Sequence, residues 1–112
     1  VLSIDDENKA VALKDKGGDN ALEMDLKGGN ITLKAKSTLV LSAGDTQVSL
    51  DAKGELTLKS AKKLTAESAE IEEKGSAKVA VQGAAVEVKG TTSLDLSAAG
   101  NTTIKGAMVG IN

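Results

Sequence analysis

The 112-residue chain contains no Phe, Tyr, Trp, Pro, Cys or His. Each absence excludes something. A domain of this length normally takes much of its buried area from aromatic side chains; here only Val, Leu, Ile, Ala and Met are available, so any core must be thin and regular. Base stacking by aromatic rings is excluded. Without Cys no disulfide compensates for a thin core, and nothing is said about redox compartment. Charge of one sign is lacking too: 16 acidic and 14 basic residues give a formal net charge of −2, scattered without the basic patch that nucleic acid requires. No apolar run approaches the roughly 18 residues of a membrane span, and no signal peptide is visible. The chain begins at Val1, as an excised fragment or a processed chain would.

What is present is a repeat. Apolar residues fall in two-apart pairs, the mark of a strand with one buried face. The pairs run from Met24/Leu26 through Ile31/Leu33, Leu39/Leu41, Val48/Leu50 and Leu56/Leu58 to Val109/Ile111, with successive pairs 7 to 9 residues apart. Two residues beyond each pair stands a small one: Gly28, Ala35, Ala43, Ala52, Ser60, Ser68, Gly75, Gly83, Gly90, Ala98 and Gly106. Period two keeps this position on the face of the pair, so it marks a crowded corner. The intervening position is always polar, as in Lys27, Lys34, Lys59, Lys74, Lys89 and Lys105, a solvated face that also blocks edge pairing. Spacings of two and eight do not make a 3.6-residue stripe, so even the helix-friendly stretch 60–75 reads as strand. Residues 1–20 are less regular and read as a transition segment from a preceding domain; residues 21–112 form the octad-repeat region.

An eight-residue unit is one strand and one corner, too little to enclose a core. An antiparallel meander would need hairpin turns, and Asn-Gly or Asp-Gly pairs are absent from the corners. A single-chain solenoid would expose strand edges at both ends. The remaining arrangement is an all-β, intertwined trimeric (triple-stranded) β-helix or β-prism, in which each inward pair meets its two copies at a common axis. Stiff, branched side chains suit such a column, and three aromatic rings would not fit one rung. At about 4.8 Å per rung the octads would build a rod on the order of 55–60 Å long, with folding and trimerisation a single event.

The octads ITLKAKST, LTLKSAKK and LDLSAAGN, with the final segment NTTIKGAMVGIN, resemble the C-terminal β-helix of contractile-injection spike proteins. These are Vgr/Rhs-type spikes of type VI secretion and phage-like injection particles, relatives of the phage central spike. The resemblance covers about residues 21–112 and lies in a degenerate pattern, not a catalytic signature. It implies a homotrimeric needle made in the bacterial cytoplasm and driven by sheath contraction into or through the target cell envelope. It also implies baseplate or tube components joined through a more N-terminal part, and a small PAAR-type tip or effector protein on the C-terminal end. Some phage spikes end in their own His-ligated metal apex; this chain, with no His, lacks that means.

Few residues invite a chemical role. Gly106, Ala107, Met108, Val109, Gly110, Ile111 and Asn112 would form a platform for the tip protein, because an apolar triangular end invites association; the plain alternative is a frayed end. Glu73 and Thr102 occupy inward columns otherwise held by aliphatic residues. Three Glu73 carboxylates at the axis would need a cation, water or raised pKa values, whereas a bulge around Glu72–Lys74 would turn them outward. Three Thr102 hydroxyls could bond one another or hold a water. The acidic pairs Asp5-Asp6 and Glu72-Glu73 have no His, Cys or aromatic platform beside them, so neither an enzyme nor a metal or cofactor site is expected. Gly-Gly at 17–18 and 28–29 fits turns, since no helix follows to cradle a phosphate. A trimeric fibre shaft or adhesin stalk is the rival reading. An ice-binding solenoid is weakened by mixed Asp, Glu, Lys and Thr at outward positions.

Overall fold

The computed structural model describes residues 1–112 and is all-β. Seven strands, β1 (Leu2–Asp5), β2 (Ala10–Lys14), β3 (Ala21–Asp25), β4 (Asn30–Lys34), β5 (Thr38–Ala43), β6 (Thr46–Asp51) and β7 (Leu56–Lys59), form two antiparallel sheets in the orders β1-β2-β3-β4 and β5-β6-β7. No residue is helical, the stretch 60–75 included. By contacts the chain divides into Val1–Ala69 and Glu70–Asn112.

Pairing register sorts the side chains by polarity. In the first sheet Leu2 and Ile4 lie opposite Leu13 and Val11, which lie opposite Leu22 and Met24, which in turn lie opposite Leu33 and Ile31. Because strand side chains alternate between faces, all eight share one face. Ser3, Lys14, Glu23 and Thr32 share the other with the small Ala10, Ala12 and Ala21. The second sheet repeats the division: Leu39, Leu41, Val48, Leu50, Leu56 and Leu58 are co-facial, while Ser42, Gln47, Ser49, Thr57 and Lys59 oppose them together with Val40. One open groove is lined by Leu33 of the first sheet with Leu39 and Leu50 of the second, so the two apolar faces adjoin.

The antiparallel meander that the sequence argument sets aside is thus the architecture of residues 2–59. Asn-Gly and Asp-Gly are not needed, because the chain reverses by other means. Gly44-Asp45 joins β5 to β6 as a two-residue turn with Gly44 at φ 57°, the positive φ that a type II′ hairpin needs at its first central residue. The β1–β2 and β3–β4 reversals are four-residue loops on a common plan. Asp5 Oδ1 accepts the Asn8 N–H at 3.0 Å, and Asp25 Oδ1 accepts the Gly28 N–H at 2.9 Å. In each loop the residue four beyond the Asp, Lys9 or Gly29, has positive φ. One finer expectation changes accordingly. Leu26 belongs to the β3–β4 loop, so the co-facial pair on β3 is Leu22/Met24 and not Met24/Leu26. Residues before and after position 20 share one sheet, since β2 pairs with β3.

From Ser60 onward the chain forms no further β-ladder, yet it keeps the octad rhythm. The backbone bends at 61–62, 69, 76–77, 84–85, 91–92, 99–100 and 107, and runs unbent between. Each bend begins immediately after a residue of the small column: Ser60, Ser68, Gly75, Gly83, Gly90, Ala98 and Gly106. The predicted corners are therefore corners in this segment.

Candidate functional site: an assembly surface

The sequence builds strands whose apolar side has nothing of the same chain to cover it. Ala21 is the only buried hydrophobic residue, and no large side chain is fully buried. Ile4 and Ile31 are 72% exposed, Leu56 64% and Leu96 75%. The accessible surface totals 10896 Å², against about 5,700 Å² for a compact monomer of this mass by area–mass scaling. The excess is about 5,000 Å² for the single chain.

The backbone makes the same point. A folded chain forms about one internal hydrogen bond per residue, and buried N–H and C=O groups are nearly always paired. Between Ile71 and Asn112 no hydrogen bond forms within the chain, and the only polar contact is Lys89 Nζ to Glu87 Oε2 at 3.9 Å. Whole strands of donors and acceptors stand open along the octads.

The corners explain why their column is small. A Cβ on Gly75 would overlap the carbonyl oxygen of Lys78, and one on Gly90 that of Ser93. At Gly83 and Gly106 it would come within 3.1 Å of the carbonyl oxygens of Ala85 and Met108. The chain turns back on its own carbonyl two or three residues later, which only a bare Cα permits without displacement. At the first corner Ser60 takes another route: its Oγ donates to Lys63 O at 2.9 Å and accepts from Lys63 N at 3.3 Å.

The polar face of the first sheet is self-contained. Ala21 lies in register between Lys14 and Lys34. Lys14 Nζ pairs with Glu23 Oε1 at 3.3 Å, and Lys34 Nζ donates to Gly18 O at 3.1 Å. Three carboxylates at or just past strand ends titrate below their ordinary value, each held by hydrogen bonds to its charged form. The Asn8 amide N–H acts chiefly on Asp5, the Asn20 side chain on Asp15 and the Gly28 N–H on Asp25. These bonds fasten turns; they do not gather around a reacting atom. No three acidic side chains converge on a metal position, and no helix is long and apolar enough to cross a membrane.

The residues singled out at the C-terminal end form a short exposed segment: the chain bends at Ala107, Met108 is 90% exposed, Val109 50% and Ile111 87%. Gly106, Gly110 and Asn112 are exposed beside them. Glu73 and Thr102 are also exposed, and one chain brings neither together with a like residue. The run from Glu70 to Gly75 is unbent and carries no ladder. What sequence reasoning missed is the eight-residue apolar face of the first sheet. Its signal was available in Leu2/Ile4, Val11/Leu13 and Leu22/Met24, two-apart pairs upstream of the octad frame. Comparison with protein-family models, curated proteins and solved structures gives no match.

Proposed function

We propose that the chain is the shaft of a trimeric needle in a contractile injection machine, a Vgr-like spike without chemistry of its own. The observation that supports this reading is the segment 71–112, which bends on every octad while forming no hydrogen bond within its own chain. Backbone so regular and so little bonded within its own chain suits pairing with strands from other chains, which would bury these groups and satisfy them. In a three-fold assembly the sheets of residues 2–59 turn their apolar faces to a common axis as a prism. The later octads wind around one another, each pairing with its neighbours' strands as a triple-stranded β-helix. An intertwined rod of this kind is stiff, and its outward residues are charged and polar, so it does not enter a bilayer unaided. Sheath contraction supplies the force, and passage through the target membrane is transient.

The exposed Met108, Val109 and Ile111 end the rod in an apolar platform, where a PAAR-type tip or effector protein seats. Baseplate and tube components engage the opposite end through a preceding domain. Manufacture is in the bacterial cytoplasm, with export as part of the particle. The test is co-purification with a small conical tip protein. Full-length chain retains the tip, and a truncation ending at Gly100 loses it while keeping its oligomeric mass. Equal retention by both forms would sink the platform. Receptor-binding domains following residue 112 would favour a fibre stalk over a needle.

A further inference from the structure

A repeat of near-identical octads leaves register poorly specified. Slipping one chain by an octad sets Leu56/Leu58 where Leu64/Ala66 belongs, and the apolar column scarcely registers the change. Register is weakly held wherever successive strands look alike, so some other feature must distinguish neighbouring rungs.

The outward positions flanking each apolar pair carry such a feature. Ahead of the pairs stand Glu55, Lys63, Glu70 and Lys78; behind them stand Lys59, Glu67, Lys74 and Gln82. The sign alternates over all four octads in the leading column and over the first three in the trailing one, where Gln82 is neutral, and the two columns are in opposite phase. An octad opening on Glu closes on Lys, and the one opening on Lys63 closes on Glu67. All of these residues are exposed. They fall at period two from the position inside the pair and so share the strand's outward side, as the Glu87–Lys89 contact at 3.9 Å illustrates one octad later.

We propose that these columns form an ionic checkerboard between copies of this chain, which fixes the rung register of the winding; the inference rests on the trimeric reading above. In a three-chain winding the strand stacked on any rung belongs to another copy and comes from the next octad. At about 4.8 Å between rungs, Glu67 of one copy lies between Lys59 of a second and Lys74 of the third, and Glu70 lies between Lys63 and Lys78. The partner is a second and third copy of the same chain, recognised by complementary charge. A slip of one octad sets Lys beside Lys and Glu beside Glu in both columns, well inside the screening length of about 8 Å at physiological salt. Like charges directly opposite on neighbouring strands are destabilising. The alternation fades after Gln82, where Ala85, Ser93 and Asn101 follow in the leading column. The code therefore sits where the winding leaves the last paired strand, β7, and where register must first be set.

The experiment compares three full-length chains by light scattering and thermal unfolding, at low salt and at about 1 M salt, where the screening length falls to about 3 Å. They are the wild type, Glu67→Lys, which stacks three lysines on successive rungs, and Lys59→Glu/Glu67→Lys/Lys74→Glu, which restores alternation with inverted sign. The expected result is trimeric mass for the wild type and the triple variant, and a midpoint for Glu67→Lys that is several degrees lower at low salt and largely recovered at high salt. Should Glu67→Lys give no soluble trimer, rescue by the triple variant supports the checkerboard. Equal losses in both variants, or no loss in either, overturn it while leaving a trimeric wild type intact. A monomeric wild type overturns the trimeric reading and the checkerboard together.

Discussion

Leu22 and Leu33 face each other in register across β3 and β4, yet they remain 37% and 48% exposed. A cross-strand leucine pair on the apolar face of a sheet is ordinarily covered by a second layer. Here the second layer is absent from the chain, and the same holds for Leu50 opposite Leu56 in the other sheet. That exposed apolar side is what the proposed trimer would cover with copies of the same chain.

Charge on that side should therefore be intolerable. Leu33→Asp removes a side chain whose full burial is worth about 1.5–3 kcal/mol and puts a carboxylate at each of three equivalent positions. Loss of the oligomer is expected by light scattering, with loss of β-signal by circular dichroism. Thr32→Lys, on the opposite face and across from Glu23, should leave both unchanged.

The corner glycines divide into two groups. Gly90→Ala sets a Cβ into the Ser93 carbonyl, whereas Gly100→Ala meets nothing within 4 Å. The first should destabilise the assembly by about 1–3 kcal/mol per chain, as overpacking does; the second should stay within about 0.5 kcal/mol. Gly83→Ala, whose neighbour at 3.1 Å is also a backbone carbonyl, should fall between them. Denaturant unfolding of the three variants ranks them.

Lys9 is the one residue other than glycine with positive φ, at 56°, in the place that Gly29 fills in the β3–β4 loop. The left-handed conformation costs an L-residue roughly 1–2 kcal/mol. Lys9→Gly relieves that cost but loses an exposed ion pair with Asp6 at 3.0 Å, worth about 0–1 kcal/mol. A small net gain in unfolding midpoint is expected; a drop would show that the lysine side chain matters more than its backbone strain.

Acid should loosen the loops before it affects the apolar interface. The Asp25 carboxyl titrates below its ordinary value of 3.8 because the Gly28 N–H, with the Asn30 side chain and Lys27 N–H, bonds its charged form. A depressed folded pKa contributes stability that is present above the ordinary value and lost as pH falls through the lowered one. Amide exchange at Gly28, corrected for intrinsic rate, should accelerate in that window, and Asp25→Asn should abolish the pH dependence.

How much of this was legible differs between the two halves of the chain. After Ser60 the small column marks every bend, because a corner that runs into its own carbonyl leaves a compositional trace at a fixed spacing. Before Ser60 Ile31/Leu33 lie on the apolar face of the first sheet and Leu39/Leu41, Val48/Leu50 and Leu56/Leu58 on that of the second, as the periodicity implies; within each sheet the path between strands is a hairpin, and only the step from Leu33 to Leu39 bends after its small residue, Ala35. Period two is the same in both cases. What separates them is turn chemistry spread over several residues: Asp25 with Gly28 and Gly29, Asp51 with Lys53 and Gly54, and Gly44 with Asp45. A search for Asn-Gly and Asp-Gly alone passes over all three. At the C-terminal end the sequence showed apolar residues and the structure shows Met108, Val109 and Ile111 exposed; neither marks what would bind there.

The central claim concerns the number of chains, and mass in solution tests it most directly. Sedimentation equilibrium or light scattering of the 11.3 kDa chain should give three times that mass, independent of concentration over a wide range. A stable, folded monomer of 11.3 kDa would contradict the account outright.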